Sequence, residues 1–259
     1  MKGETDIFSK IPKTGYHEEV PEINADEFEK VVRSRRSVRV YEKEKIPDDI
    51  VTKCLELALL APNSSNLQPW EFYWVKTPAK QEQLIKACLS QPAARTAPTL
   101  IVVVAKIDAW KENRKRMLET FAQKSDIKVP QSAIDYYQKL VPIVYNQGPC
   151  GSFGLIKKVI VSARGHFTPT PRQPTSRSEL ITWAMKTCAL ACENLMLSFR
   201  AFGYDTCPME GYDSNMIEKL LGLGCQQKVV MVISAGKRAS NGIYGPQVRF
   251  DSSLFIKQI

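Results

Sequence analysis

The stretch Ser176–Gly203 reads SRSELITWAMKTCALACENLMLSFRAFG. Ser176 and Glu179 stand at capping-box spacing, which marks a helix start. Leu180, Trp183, Ala184, Thr187, Leu190, Ala191, Leu195 and Leu197 then fall on most sides of a helix running to about Phe202. A helix that apolar belongs inside a fold, as its spine, and Gly203 stops it. Around it lie two continuous β-branched runs, Leu100–Ala105 and Val229–Ser234, the pattern of strands buried on both faces. Phe72–Val75 reads as a further strand, and Ser37–Tyr41 and Tyr204–Cys207 as short extended pieces. Helices are expected from Asp26, as cap, to Arg35, with Phe28, Val31 and Val32 on one face. Others are expected from Pro47 to Pro62, over Lys80–Leu89, around 110–124 and 131–145, and over Ser214–Leu221. The elements alternate without a strict βαβ rhythm, so the expected class is α+β.

The chain has 259 residues and is 44% hydrophobic, enough for one full core. Its formal charge is +9, from 36 Lys+Arg against 27 Asp+Glu. The first 30 residues run the other way, with eight acids against four lysines. The positive excess is scattered, so it lacks the basic face with interleaved aromatics that nucleic-acid binding needs. Seven cysteines show no CxxC or zinc spacing, and the start has no apolar leader-like region. Together these point to a reducing, cytoplasmic setting. No run approaches the roughly 20 apolar residues of a membrane span.

Four stretches could carry chemistry. Arg35-Arg-Ser-Val-Arg39 offers guanidinium forks and a hydroxyl, a match for phosphate as well as for a solvated basic turn. Ala61-Pro-Asn-Ser-Ser-Asn-Leu-Gln-Pro69 crowds short neutral donors and acceptors between two prolines. Such groups suit a heteroaromatic edge or a polyol, or a plain helix-to-strand turn. Pro208-Met-Glu-Gly-Tyr-Asp213 places a glycine where a ligand could approach backbone, or simply turns the chain into a helix capped by Asp213 or Ser214. In the tail, Gln247 and Arg249 share one face of an extended segment and could close the anion site. His17 and His166 have no partners at triad or metal-ligand spacing. The glycines of 148–154 lack the preceding strand of a phosphate loop, and no dinucleotide fingerprint occurs.

These four stretches, in this order, resemble the FMN-dependent nitroreductase family over residues 26–106 and 180–251. The resemblance implies an α+β nitroreductase-like fold: a central, mainly antiparallel sheet flanked by helices, in an intertwined homodimer with FMN at the subunit interface. It implies ping-pong reduction of nitroaromatics, quinones or a related small acceptor by NADH or NADPH. On this likeness Arg35, Arg36, Ser37 and Arg39 contact the phosphate and ribityl chain. Pro62, Asn63, Ser64, Asn66 and Gln68 line the flavin from the other subunit. Pro208, Glu210 and Gly211 form the turn facing the N5 and O4 edge, and Gln247 and Arg249 complete the phosphate contacts. Ser90 and Gln91 lie where the family often has an amide for the pyrimidine edge. The lysine many members carry three residues later is replaced by Ala93, with Arg95 close by.

The likeness divides the chain into an arm (1–24) and a single domain (25–259). Within that domain, 107–177 is an insertion or lid, and 237–259 an extension packing on the partner subunit. A specialised member that dehalogenates or cleaves flavin, and a flavin-binding protein without turnover, share the same motifs.

Overall fold

Residues 16–123 and 129–259 are described by a computed structural model. Four strands form one sheet: β1 Trp70–Trp74, β2 Thr99–Lys106, β3 Asp205–Met209 and β4 Gln227–Gly236, in the order β1-β2-β4-β3. All three pairings are antiparallel, and a lone parallel bridge joins Ser37 to Thr206. The two β-branched runs occupy the inner strands, as their burial on both faces requires.

Side chains of β2 alternate between two cores. Ile101, Val103 and Ala105 enter one, and Leu100, Val102 and Val104 the other, the period-two signature of a strand. On β4 the alternation skips once. Val103 pairs with Met231 but Val104 with Val229, so Val230 is an extra, bulged residue. Val230 and Met231 consequently face the same core.

The helices are α1 Ala25–Ser34, α2 Asp48–Leu59, α3 Pro78–Ala87, α4 Pro92–Thr96, α5 Ala109–Gln123, α6 Gln131–Asp135, α7 Val141–Tyr145, α8 Ser152–Arg164, α9 Arg177–Ala201 and α10 Ser214–Leu221. Helix α9 packs on α2 and on β2, β3 and β4. It buries Leu180, Ala184, Thr187, Cys188, Ala191, Cys192, Leu195, Met196 and Phe199, a stripe of i, i+4, i+7 spacing. The helix is therefore buried along a stripe rather than all round: Leu190 is 47% exposed and Trp183 only half-buried. The expected cap at its start is modified. Glu179 N–H donates to Ser176 Oγ at 3.2 Å, but the Glu179 carboxylate accepts from Thr175 N–H at 2.5 Å.

Other departures are local. Asn24, not Asp26, caps α1, accepting from the N–H groups of Asp26 and Glu27. The expected helix 131–145 is broken by a π-helical turn over Tyr136–Leu140. Helix α8 fills a region with no expected element. Its Leu155, Ile156, Val159 and Ile160 are mostly exposed, so the apolar pairs four apart are a helical signal without a burial partner among the described residues. Of the arm, residues 16–24 have no helix or strand, and 1–15 lie outside the described residues. No helix among the described residues is long and apolar enough to cross a membrane.

Phe199 is fully buried between α9 and the sheet. Phe199→Ala is expected to lower unfolding stability by about 3–5 kcal/mol, measured by urea denaturation.

Candidate functional site

Helix α1 ends because Arg35 turns extended (φ −63°, ψ 128°) while its N–H still closes on Val31 O. The chain then runs beside β3, with Val38 N–H donating to Thr206 O at 3.0 Å. This register buries Val38 completely and leaves Ser37 and Arg39 outward. Arg39 N–H donates to Gly242 O at 2.8 Å, and Arg36 Nη2 donates to Gly245 O at 2.5 Å. Those bonds bring the distant tail alongside. Arg35, Arg36, Ser37, Gln247 and Arg249 consequently line one cavity of about 260 Å³, together with the backbone between 243 and 248. The lining contains three guanidinium groups and no carboxylate, a donor set suited to a dianion. Arg39 stands just outside, its guanidinium 5.8 Å from the Tyr244 ring centre. The field of the cluster reaches the core. Burial pushes the Cys207 thiol up, while Arg39 and Arg35 oppose that rise.

β3 delivers the next element. It ends at Met209, and Glu210 and Gly211 follow in an exposed turn beside half-buried Pro208. Asp213 caps α10 by accepting from Met216 N–H at 3.1 Å, and its own N–H donates to Ala87 O at 2.8 Å. Beyond α3, Leu89 and Ser90 take left-handed backbone (φ 58° and 52°), and the chain swings Gln91 round to this turn. Gln91 Nε2 donates to Gly211 O at 2.8 Å. A Cβ on Gly211 would meet only that amide, at 3.6 Å. Packing within the chain therefore does not demand glycine there. Ala93 is buried in the second core, and Arg95 is exposed.

Residues 62–68 lie apart from the arginine cavity. Asn66 and Gln68 line a different cavity, of about 410 Å³, with Trp70, Lys106 and Arg116. The loop is knitted internally: Gln68 N–H donates to Asn63 Oδ1 at 2.8 Å, and Gln68 Nε2 to Asn66 Oδ1 at 3.3 Å. Asn113 of α5 donates to Leu67 O at 2.8 Å. The Ser64 hydroxyl meets Tyr145 OH at 3.2 Å. Pro62 is exposed. The tyrosines that hold this loop, Tyr136, Tyr137 and Tyr145, are not among the residues the motifs point to. Their only sequence signal is that three aromatic positions of the middle segment carry hydroxyls.

An ion triad centred on a buried carboxylate fixes the start of β3. Asp205 is 4% exposed. Its carboxylate takes Arg238 in a two-pronged contact (3.0 and 2.7 Å) and Arg200 at 3.1 Å. This locks the end of α9 and the start of the tail to β3.

This architecture, a four-stranded antiparallel sheet packed on one long helix with an arginine-lined cavity beside its edge, is that of an oxidoreductase of the nitroreductase type. The model of the Nitroreductase family matches residues 32–237, and the chain belongs to that family. The match runs through the middle segment and ends before Gln247 and Arg249. YdgI of Bacillus subtilis strain 168, named provisionally as an NAD(P)H nitroreductase, is 30% identical over 89% of this chain and 97% of its own. A protein named NADH dehydrogenase from Thermus thermophilus is 24% identical over 80% of this chain and 85% of its own. Among solved structures, a provisionally assigned nitroreductase from Exiguobacterium sibiricum 255-15 in complex with FMN superimposes with a TM-score of 0.67 at 27% identity. It covers 90% of this chain and 97% of its own. Bacillus subtilis ydfN, also assigned provisionally, gives a TM-score of 0.73 at 22% identity over 91% of this chain and 100% of its own.

Asp205→Ala would leave two half-buried guanidinium groups without their shared carboxylate. It is expected to lower stability by about 3 kcal/mol, measured by chemical denaturation at neutral pH.

Proposed function

We propose that this chain is an FMN-dependent oxidoreductase that uses NADH or NADPH to reduce nitroaromatics, quinones or a related small acceptor. The observation that carries the reading is the convergence of Arg35, Arg36, Ser37, Gln247 and Arg249 on one acid-free cavity. Five donor side chains, drawn from both ends of the domain, meet where a phosphate monoester would be held. Bound FMN supplies the hydride-accepting chemistry. The protein's part is position and electrostatics.

Arg35, Arg36 and Arg249 hold the phosphate, with forks matched to its oxygens, and Ser37 and Gln247 add neutral donors. At the other end, Gln91 fixes the Gly211 carbonyl. That leaves the Gly211 N–H, which has no intramolecular hydrogen bond among the described residues, free to meet the reacting edge. Ser90, Pro208 and Glu210 flank the same turn. Glycine there permits the close approach of an outside group.

Residues 62–68 serve the flavin of a second copy. They are uncharged, and Asn66 and Gln68 line a cavity separate from the one formed by Arg35, Arg36 and Arg249 of their own chain. The dimer this requires has apolar surface available. Phe28 and Val32 of α1, and Phe250, Phe255 and Ile256 of the tail, are all exposed in the single chain. Exposed large apolar groups in such number mark an interface. The middle segment shapes the acceptor pocket, because α5 walls the cavity that Asn66 and Gln68 open into.

Purified protein is expected to be a yellow dimer whose FMN absorbance bleaches on addition of NADH or NADPH. Arg35→Ala is expected to lower FMN occupancy several-fold while leaving the fold intact, measured by released flavin per chain. A colourless protein that cannot be reconstituted with FMN sinks the function. Unchanged occupancy in the variant removes Arg35 from its role.

A further inference from the structure

We propose that Tyr136, Tyr137 and Tyr145 are positioning residues: they clamp Ser65 in a left-handed turn and thereby set the geometry of the 62–68 loop. The proposal rests on the flavin reading of that loop.

The loop is strained. Ser65, Asn66 and Gln68 all have positive φ (59°, 46° and 44°) without being glycine. Such residues carry a backbone cost of order 1 kcal/mol or more each, and they persist only where the surroundings over-determine them. Here the surroundings are three phenols. Ser65 Oγ lies 2.5 Å from Tyr136 OH and 3.0 Å from Tyr145 OH. Tyr137 OH donates to Ser65 O at 2.8 Å. The side chain and carbonyl of one residue are thus held from three sides, and Tyr145 also reaches Ser64 Oγ.

The π-helical turn over Tyr136–Leu140 explains how two consecutive tyrosines converge on one residue. In a regular α-helix successive side chains point about 100° apart. A widened turn changes that spacing, and such turns recur at functional positions. Tyr137 and Tyr145 are themselves immobilised. Both are buried, Tyr145 packs on Trp183 of α9 with ring centres 4.7 Å apart, and Tyr137 meets Phe121 edge-on at 5.5 Å. Phenylalanine would fill these two core positions equally well. What their hydroxyls add is the hold on Ser64 and Ser65. Burial pushes the Tyr137 phenol up to about 12 and raises that of Tyr145, so both keep their protons at neutral pH.

The chain of contacts runs from α9 through Trp183 and Tyr145 to Ser65, whose neighbours Asn66 and Gln68 line the cavity beside α5. The middle segment therefore acts on the cofactor through the loop, beyond covering it.

The test is FMN titration into apo-protein, followed by flavin fluorescence, for Tyr136→Phe, Tyr145→Phe and Ser65→Ala. Tyr136→Phe, which removes one hydrogen bond to Ser65, is expected to raise the FMN Kd about fivefold. Tyr145→Phe and Ser65→Ala, which remove two each, are expected to raise it at least as much, and all three to alter the absorption band shape of bound flavin. Melting temperature should fall by no more than about 2–4 °C. The double variant Ser65→Ala/Tyr136→Phe should bind no worse than Ser65→Ala, because both changes remove the same bond. Phe199→Leu, a core change away from the loop, serves as the stability control and should keep the wild-type Kd.

Unchanged Kd in all three variants, with Arg35→Ala still weakening FMN, overturns the clamp and leaves the proposed function standing. An equal rise in Phe199→Leu overturns it too, since stability alone would then account for the effect. Wild-type protein that takes up no FMN overturns both.

Discussion

The burial of one stripe of α9 against β2, β4 and β3 is the constraint on which the rest of the structure depends. Alanine, cysteine and threonine at its middle turns let the helix lie close to the sheet, and Leu195, Met196 and Phe199 fill the far end. Once that helix is seated, both of its ends are determined. Its C-terminal end turns at Gly203 into β3, where Asp205 ties Arg200 and Arg238 together. β3 in turn offers Thr206 to the extended segment after α1 and ends at the Gly211 turn. Along its length, Cys188 and Trp183 touch the backbone before β1 and the tyrosine cluster. The arginine cavity, the glycine turn and the polar loop are thus all referenced to one element.

Charge and shape are divided among these parts. The arginine cavity supplies positive charge and lies at the edge of the sheet, formed by segments from opposite ends of the chain. The polar loop supplies neutral donors on a strained backbone, and lines a cavity of its own. Neither part resembles a complete cofactor site alone. In the proposed dimer, two copies pair with tail and α1 surfaces covered, and one chain's arginines meet the other chain's loop. The apolar side chains left exposed in the tail and on α1 are the surface such a pairing would bury.

Much of this was legible from residues alone, for physical reasons. β-branched runs with no polar interruption have one stable place, the middle of a covered sheet, and Leu100–Ala105 and Val229–Ser234 occupy it. The apolar make-up of α9 marked it as the spine of the fold but pointed to burial on most sides, whereas one stripe is buried and Leu190 is exposed. Arg35–Ser37 and Gln247–Arg249 were readable as donors, and bonds from Arg39 N–H to Gly242 O and from the Arg36 guanidinium to Gly245 O supplied the meeting that a sequence cannot display. What escaped was set by tertiary context. The bulge at Val230 reconciles two registers and leaves no composition signal. Asn24 wins the cap from Asp26 by local backbone geometry. The π turn at Tyr136–Leu140 accompanies two long-range phenol contacts to one serine, which the local sequence does not display. Helix α8 was hidden because its apolar face is left exposed among the described residues.

The shared site is the central claim, and mixed dimers test it most directly. One protomer would carry Arg35→Ala and Arg249→Ala, the other Asn63→Ala and Asn66→Ala, each tagged so that the mixed species can be isolated. If each flavin is held by the arginines of one chain and the loop of the other, the mixed dimer keeps one intact site. It then binds one FMN with wild-type affinity, while both parent homodimers bind weakly. If each chain holds its own flavin, every site in the mixed dimer carries a defect. A mixed dimer that binds no better than its parents, or a monomer that binds FMN unaided, contradicts the account.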